Sequence, residues 1–137
     1  EGMLGMRRLI ETETSRLAAT CRTPEQLEEL GVVVTAEKSA DHGDIELVTD
    51  LDYRFHLLVA IASGNVVYPL FLNSLKEVYT NISGQFFADV TVTPFVFQFH
   101  EKLLAAIGKK DARLSKRVMT QLLSHGEERL KVLLKDE

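Results

Sequence analysis

Cysteine is nearly absent. Cys21 stands alone in the sequence, and one thiol cannot close an internal disulfide, so the chain reads as a protein of the reducing cytoplasm rather than a secreted scaffold. With no histidine beside it, Cys21 itself reads as a structural thiol. Positive charge is also scarce: 16 Lys and Arg against 20 Asp and Glu leave a net charge of -4. That balance, with an isoelectric point near 5.6, excludes a surface that binds nucleic acid by neutralising phosphates. No apolar run approaches the ~20 residues of a membrane-spanning helix. The opening EGMLGMRRLIETET lacks the apolar core of a signal peptide. Catalytic signatures are missing as well. There is no glycine-rich phosphate loop, nucleophile elbow, H-E-x-x-H, paired C-x-x-C or paired E-x-x-H pattern, and no residue is assigned a catalytic role.

What is present is helical periodicity. The 137 residues, 45% hydrophobic and 26% charged, suit one globular unit with a single core. No repeat, low-complexity tract or linker divides residues 1–137, and the abrupt helical opening predicts that an N-terminal portion precedes them in a longer protein. About six helices are expected. The first runs from about Met3 to Thr20, with Leu4, Leu9, Ile10, Leu17 and Ala18 inward. The second follows Thr23 and Pro24, with Gln26 completing a capping box, and ends near KSADHGD. The third is capped by Asp44 and stopped by Gly64 in a left-handed conformation. A long fourth helix carries the stripe Val67, Phe71, Leu75, Val78, Ile82 and Phe86. ADVTVT is read as a loop into a fifth helix, capped by Thr93, begun by Pro94 and stopped by Gly108. Asp111 caps the sixth, from about Ala112 to Leu134, patterned through Val118, Leu122 and Leu133. The predicted class is an all-α antiparallel bundle.

Polar residues interrupt these apolar faces. Asp52, Phe55, His56 and Val59 stand at i, i+3, i+4 and i+7, so a carboxylate and an imidazole share the core side of the third helix. His100 falls among Val96, Phe99, Leu103 and Ile107, and His125 lies along the edge of Leu114, Val118 and Leu122. A buried carboxylate needs a cation, a hydrogen-bonding partner or a metal. Asp52 and His56, completed by His100, form a candidate three-ligand set for zinc, nickel or manganese, against the plainer reading of a hydrogen-bonded core pair. Arg7 and Glu11, four apart, are an ordinary surface pair, or Arg7 faces an interior cavity as a carboxylate receptor.

Three stretches in order, RRLIETETSRLAA, LDYRFHLLVAIASGN and FHEKLLAAIGKKDARLSKRVM, resemble the C-terminal effector-binding (FCD-type) domain of GntR-type transcription regulators of the FadR subfamily. LDY with ASGN and NSLKEVYTNISGQFF are similar to its acyl-CoA-sensing branch. The resemblance implies a bundle around a central ligand cavity, a homodimer, and operator DNA bound only through an N-terminal winged-helix domain. It implies a metal on one aspartate and three histidines, of which Asp52, His56 and His100 match. The fourth position falls on Leu122, which cannot ligate; His125, three residues on, is a substitute only if the helix shifts. Otherwise three protein ligands hold the metal with water or effector, or the site is metal-free as in the acyl-CoA branch. A small carboxylate effector would meet Arg7, Asp52, His56 and His100. An acyl-CoA would need an apolar tunnel, which GQFFADVTVTPFVFQF offers to line. Two readings from other classes remain beside this one: a small metalloenzyme on Asp52, His56 and His100, and a cavity-free structural bundle.

Overall fold

The computed structural model describes residues 2–135, with the side chains of Met3 and of residues 133–135 left out, so the expectation for Leu133 lies outside the described residues. Seven helices fill it: α1 (Gly2–Cys21), α2 (Pro24–Ser39), α3 (Ile45–Ala62), α4 (Val67–Ser74), α5 (Lys76–Phe87), α6 (Thr93–Gly108) and α7 (Ala112–Lys135). No strand occurs among the described residues. The all-α class is borne out.

Local chemistry sets the boundaries. The Thr23 hydroxyl accepts from the Gln26 N–H while the Gln26 side chain accepts from the Thr23 N–H, a reciprocal capping box at the start of α2. Asp44 accepts the Leu47 N–H at 3.1 Å, and Asp111 accepts the Leu114 N–H at 3.0 Å, opening α3 and α7. Gly64, at φ 81, ends the α3 region in the expected left-handed conformation. The carbonyls at the end of α6 are satisfied by Arg22, which donates to Ile107 O at 3.3 Å and Gly108 O at 2.8 Å.

Three expectations are corrected. The long fourth helix is two, broken at Leu75 (φ −105, ψ 8). There the Ser74 hydroxyl donates to Phe71 O at 2.7 Å and competes with the backbone ladder. The buried face accordingly runs through Leu72, Tyr79, Ser83 and Phe86, whereas Val67 and Val78 are exposed. Thr93 is not a cap: Val92 holds that position, and Thr93 is buried in the first turn of α6 with its hydroxyl unpartnered. On α1, Leu9 is exposed while Glu11, Thr14 and Ser15 are buried with Ala18, because the inward face of this helix is polar. Cys21 is a free, exposed thiol.

α3 is the central helix, packed against α1, α2, α4 and α5; α7 lies along α1 and α6. Phe55, Val59, Leu103, Ile107 and Met119 are fully buried between them. This is where the polar cluster sits.

Candidate metal and effector site

α3 brings Asp52 and His56 to one face, as their spacing demands. α6 brings His100 opposite them. All three are buried, and their ligand atoms lie within 4.8 Å of one another. His56 Nε2 is 3.4 Å and His100 Nε2 3.3 Å from the same oxygen, Asp52 Oδ1. Those separations are long for hydrogen bonds, and His100 Nε2 is buried with no hydrogen-bond partner. They do match the roughly 3.3–3.4 Å between ligand atoms that tetrahedral zinc imposes with bonds of about 2.0–2.1 Å. The residues present therefore fit a divalent ion.

Two carboxylates that the sequence reading did not place here complete the surroundings. Glu37 of α2, fully buried, meets His100 Nδ1 at 2.7 Å. Glu11 of α1, also fully buried, meets His56 Nδ1 at 2.6 Å, a close ionic contact lying off the best hydrogen-bond direction. Its other oxygen accepts from Arg7 Nε at 2.6 Å. Arg7 also donates to the Tyr79 hydroxyl at 2.7 Å and stacks 4.2 Å over that ring. Phe55 stacks on His100 at 4.0 Å, with the planes 9° apart, and fixes its ring from the apolar side.

Charge pairing overrides burial for most of these groups. Burial would lower the pKa of His56, yet Glu11 and Asp52 push it up to about 9. Burial would raise Glu11, but Arg7 and then His56 hold it down at about 2. Asp52 is likewise kept well below the usual carboxylate range, against its burial, by His56 and His100. His100 is raised by Glu37 and Asp52 over the opposing effect of burial. Glu37 is the exception: burial outweighs His100 and raises it.

A cavity of about 50 Å³ opens beside Asp52 and His56. Arg7, Arg8 and Ser83 are its other polar neighbours besides Glu127, and Ile82, Phe86, Phe87, Leu122 and Leu130 are among its apolar walls. Arg7 thus lines this cavity, which a cavity-free bundle would lack. Leu122 reaches the cavity at the position where a fourth ligand was sought. His125 turns elsewhere: its ring lies 5.6 Å from that of Phe95 and 6.5 Å from that of Phe99, one face round α7 from Leu122. It is not among the atoms gathered at Asp52, because three residues along a helix rotate a side chain by about 60° from the starting direction.

The sequence pattern of the FCD domain matches residues 3–125. The chain belongs to the FCD domain family. The resemblance carried by the three quoted stretches is therefore borne out. A fatty acid metabolism regulator protein of Proteus mirabilis (strain HI4320) is 31% identical over 128 residues, 93% of this chain and 50% of that protein. Proteins of the same description from Salmonella paratyphi B and Salmonella newport are 36% identical over 103 residues, 75% of this chain and 41% of theirs. The FCD domain here thus spans about half the length, or less, of these curated relatives. No helix among the described residues is long and apolar enough to cross a membrane.

Proposed function

We propose that this FCD domain is the effector-sensing and dimerising part of a cytoplasmic bacterial transcription regulator. Its ligand is a small carboxylate gripped by Arg7 and by a divalent metal, zinc, nickel or manganese, on Asp52, His56 and His100. The observation that carries the reading is the convergence of two buried histidine Nε2 atoms on Asp52 Oδ1 at the base of a cavity that also presents Arg7. A divalent ion there supplies a Lewis-acidic anchor for a carboxylate oxygen. The guanidinium of Arg7 offers the complementary planar donors. With three protein ligands, water or effector completes the coordination.

In the full-length homodimer, operator DNA is bound by the winged-helix domains, and the effector acts by binding the DNA-competent and DNA-incompetent arrangements with unequal affinity. The relatives' description as regulators supports sensing over catalysis. So does the site: no nucleophile with an adjacent base lies among the residues around the Asp52 cluster.

A second reading, a metal-free acyl-CoA sensor, is favoured by Leu122 in the ligand position, by the phenylalanine walls and by the relatives' link to fatty acid metabolism. Against it, 50 Å³ holds only roughly three or four waters, so an acyl chain requires the walls to part. Elemental analysis of the purified protein, with mass spectrometry of what co-purifies, separates the two. Near-stoichiometric metal supports the first reading, and metal-free protein carrying a thioester supports the second. Operator binding by the full-length protein that no carboxylate or acyl-CoA alters would overturn both.

A further inference from the structure

Both histidines of the site are gripped from behind. His100 Nδ1 faces Glu37 of α2 at 2.7 Å, and His56 Nδ1 faces Glu11 of α1 at 2.6 Å. All four side chains are at most 2% exposed. A carboxylate facing Nδ1 favours a proton on that nitrogen, and each Nε2 is left directed at Asp52. Two glutamates from two different helices thus impose one ring orientation on two histidines. The mounts are not alike, however, since Glu11 is shared with Arg7, whose Nε lies 2.6 Å from its second oxygen.

We propose that Glu11 and Glu37 are positioning residues that aim His56 and His100 at the Asp52 site through Nδ1, and that Arg7 of the effector cavity acts on that site through Glu11. A carboxylate behind a ligating imidazole fixes its orientation and raises its basicity, and loss of such a partner weakens metal binding by about 10–100-fold. Arg7, Glu11 and His56 are linked by two successive contacts of 2.6 Å. Whatever takes hold of Arg7 in the cavity therefore alters the electrostatic support of one metal-directed histidine while leaving the other, on Glu37, untouched. This inference rests on the metal reading above for its affinity arm, but not for its spectroscopic one.

Zinc alone is titrated calorimetrically into the 137-residue chain and its variants. Glu11→Gln and Glu37→Gln are expected to weaken binding by at least about tenfold, while Glu13→Gln, at a residue paired with Arg16 and outside the cluster, leaves it unchanged. Arg7→Gln is expected to weaken it as well. The Arg7→Gln, Glu11→Gln double variant should bind no worse than Glu11→Gln, because the two act in series. Zinc affinity within twofold of the parent in both glutamate variants, or additive losses in the double variant, overturns the proposal. Long-range proton–nitrogen spectra of the unsubstituted chain give a second readout that needs neither metal nor variant. Both Nδ1 atoms are expected to be protonated, with or without zinc, and an unprotonated Nδ1 on either ring overturns the assignment. Failure of the parent to bind zinc, with both Nδ1 protonated, sinks the metal reading and leaves the two positioning glutamates standing.

Discussion

Glu11 and Glu37 present equally buried carboxylates to a histidine Nδ1, yet Glu11 has Arg7 on its second oxygen, while Oε1 of Glu37 is buried with no partner. Glu11 is held at about 2 and Glu37 is raised above its ordinary value. Depth is the same for both, so depth does not decide. What differs is a permanent cation: a guanidinium cannot give up its proton, whereas His100 supplies charge only when protonated. A buried carboxylate keeps its charge when its partner cannot leave.

The sharpest way to break this comparison is to remove the cation. Arg7→Leu leaves Glu11 buried with His56 alone, and a loss of about 3–5 kcal/mol is expected, measured by urea unfolding at neutral pH. Glu37→Gln should cost no more than about 1 kcal/mol in the metal-free chain, since a carboxamide keeps the shape and still accepts from His100. Equal losses in the two variants would show that Arg7 is not what separates the two carboxylates.

The pH dependence sharpens the contrast because the groups carry opposite signs. His56 has a folded value of about 9 against 6.5, so its stabilising contribution, roughly 3 kcal/mol, is fully present below 6.5 and lost as pH rises through 9. Glu11 has a folded value of about 2 against 4.5, so its contribution is present above 4.5 and lost as pH falls through 2. Glu37 is raised, so its contribution grows on acidification instead. Unfolding of the metal-free chain across pH should therefore show stability falling on the alkaline side of neutrality. Glu37→Gln should lose more, relative to the parent, below pH 4.5 than at neutrality. A flat alkaline limb would mean that His56 is not charged in the fold.

The same pair shows what was legible in the sequence. Asp52, His56 and His100 stood out because they interrupt apolar stripes, and a polar residue among Val, Phe and Leu announces its own burial. Thr23, Asp44, Gly64 and Asp111 were legible because caps act over a few residues. Glu11 and Glu37 were not. On α1 the inward face includes Arg7, Glu11, Thr14 and Ser15, and apolar periodicity reads such a face as solvent, so the pattern points to Leu9 and passes over Glu11. The available signal was Arg7 with Glu11 four residues on, in a helix whose remaining apolar stripe is thin. Glu37 had no signal in its own helix, because its reason for burial is His100, 63 residues away. The break at Leu75 was hidden because Leu72, Tyr79 and Ser83 keep helical spacing across it.

The smallest effect tests whether distance alone would have told the two regions apart. Lys38 Nζ lies 2.8 Å from Glu101 Oε1 on the outer side of α2, one residue from Glu37, and the two side chains are 63% and 43% exposed. By separation this pair comes within 0.2 Å of Arg7 with Glu11 at 2.6 Å. By environment it is the reverse, since water already solvates both charges, salt screens them, and two long side chains lose rotamer freedom to meet. Lys38→Ala is therefore expected to cost less than about 1 kcal/mol, and the cost should vanish in 1 M salt. The Arg7→Leu loss should change little over the same range, because the buried pair is screened much less by dissolved ions. A Lys38→Ala loss that matched Arg7→Leu and survived salt would mean that ion-pair distance, not desolvation, sets the energies in this bundle.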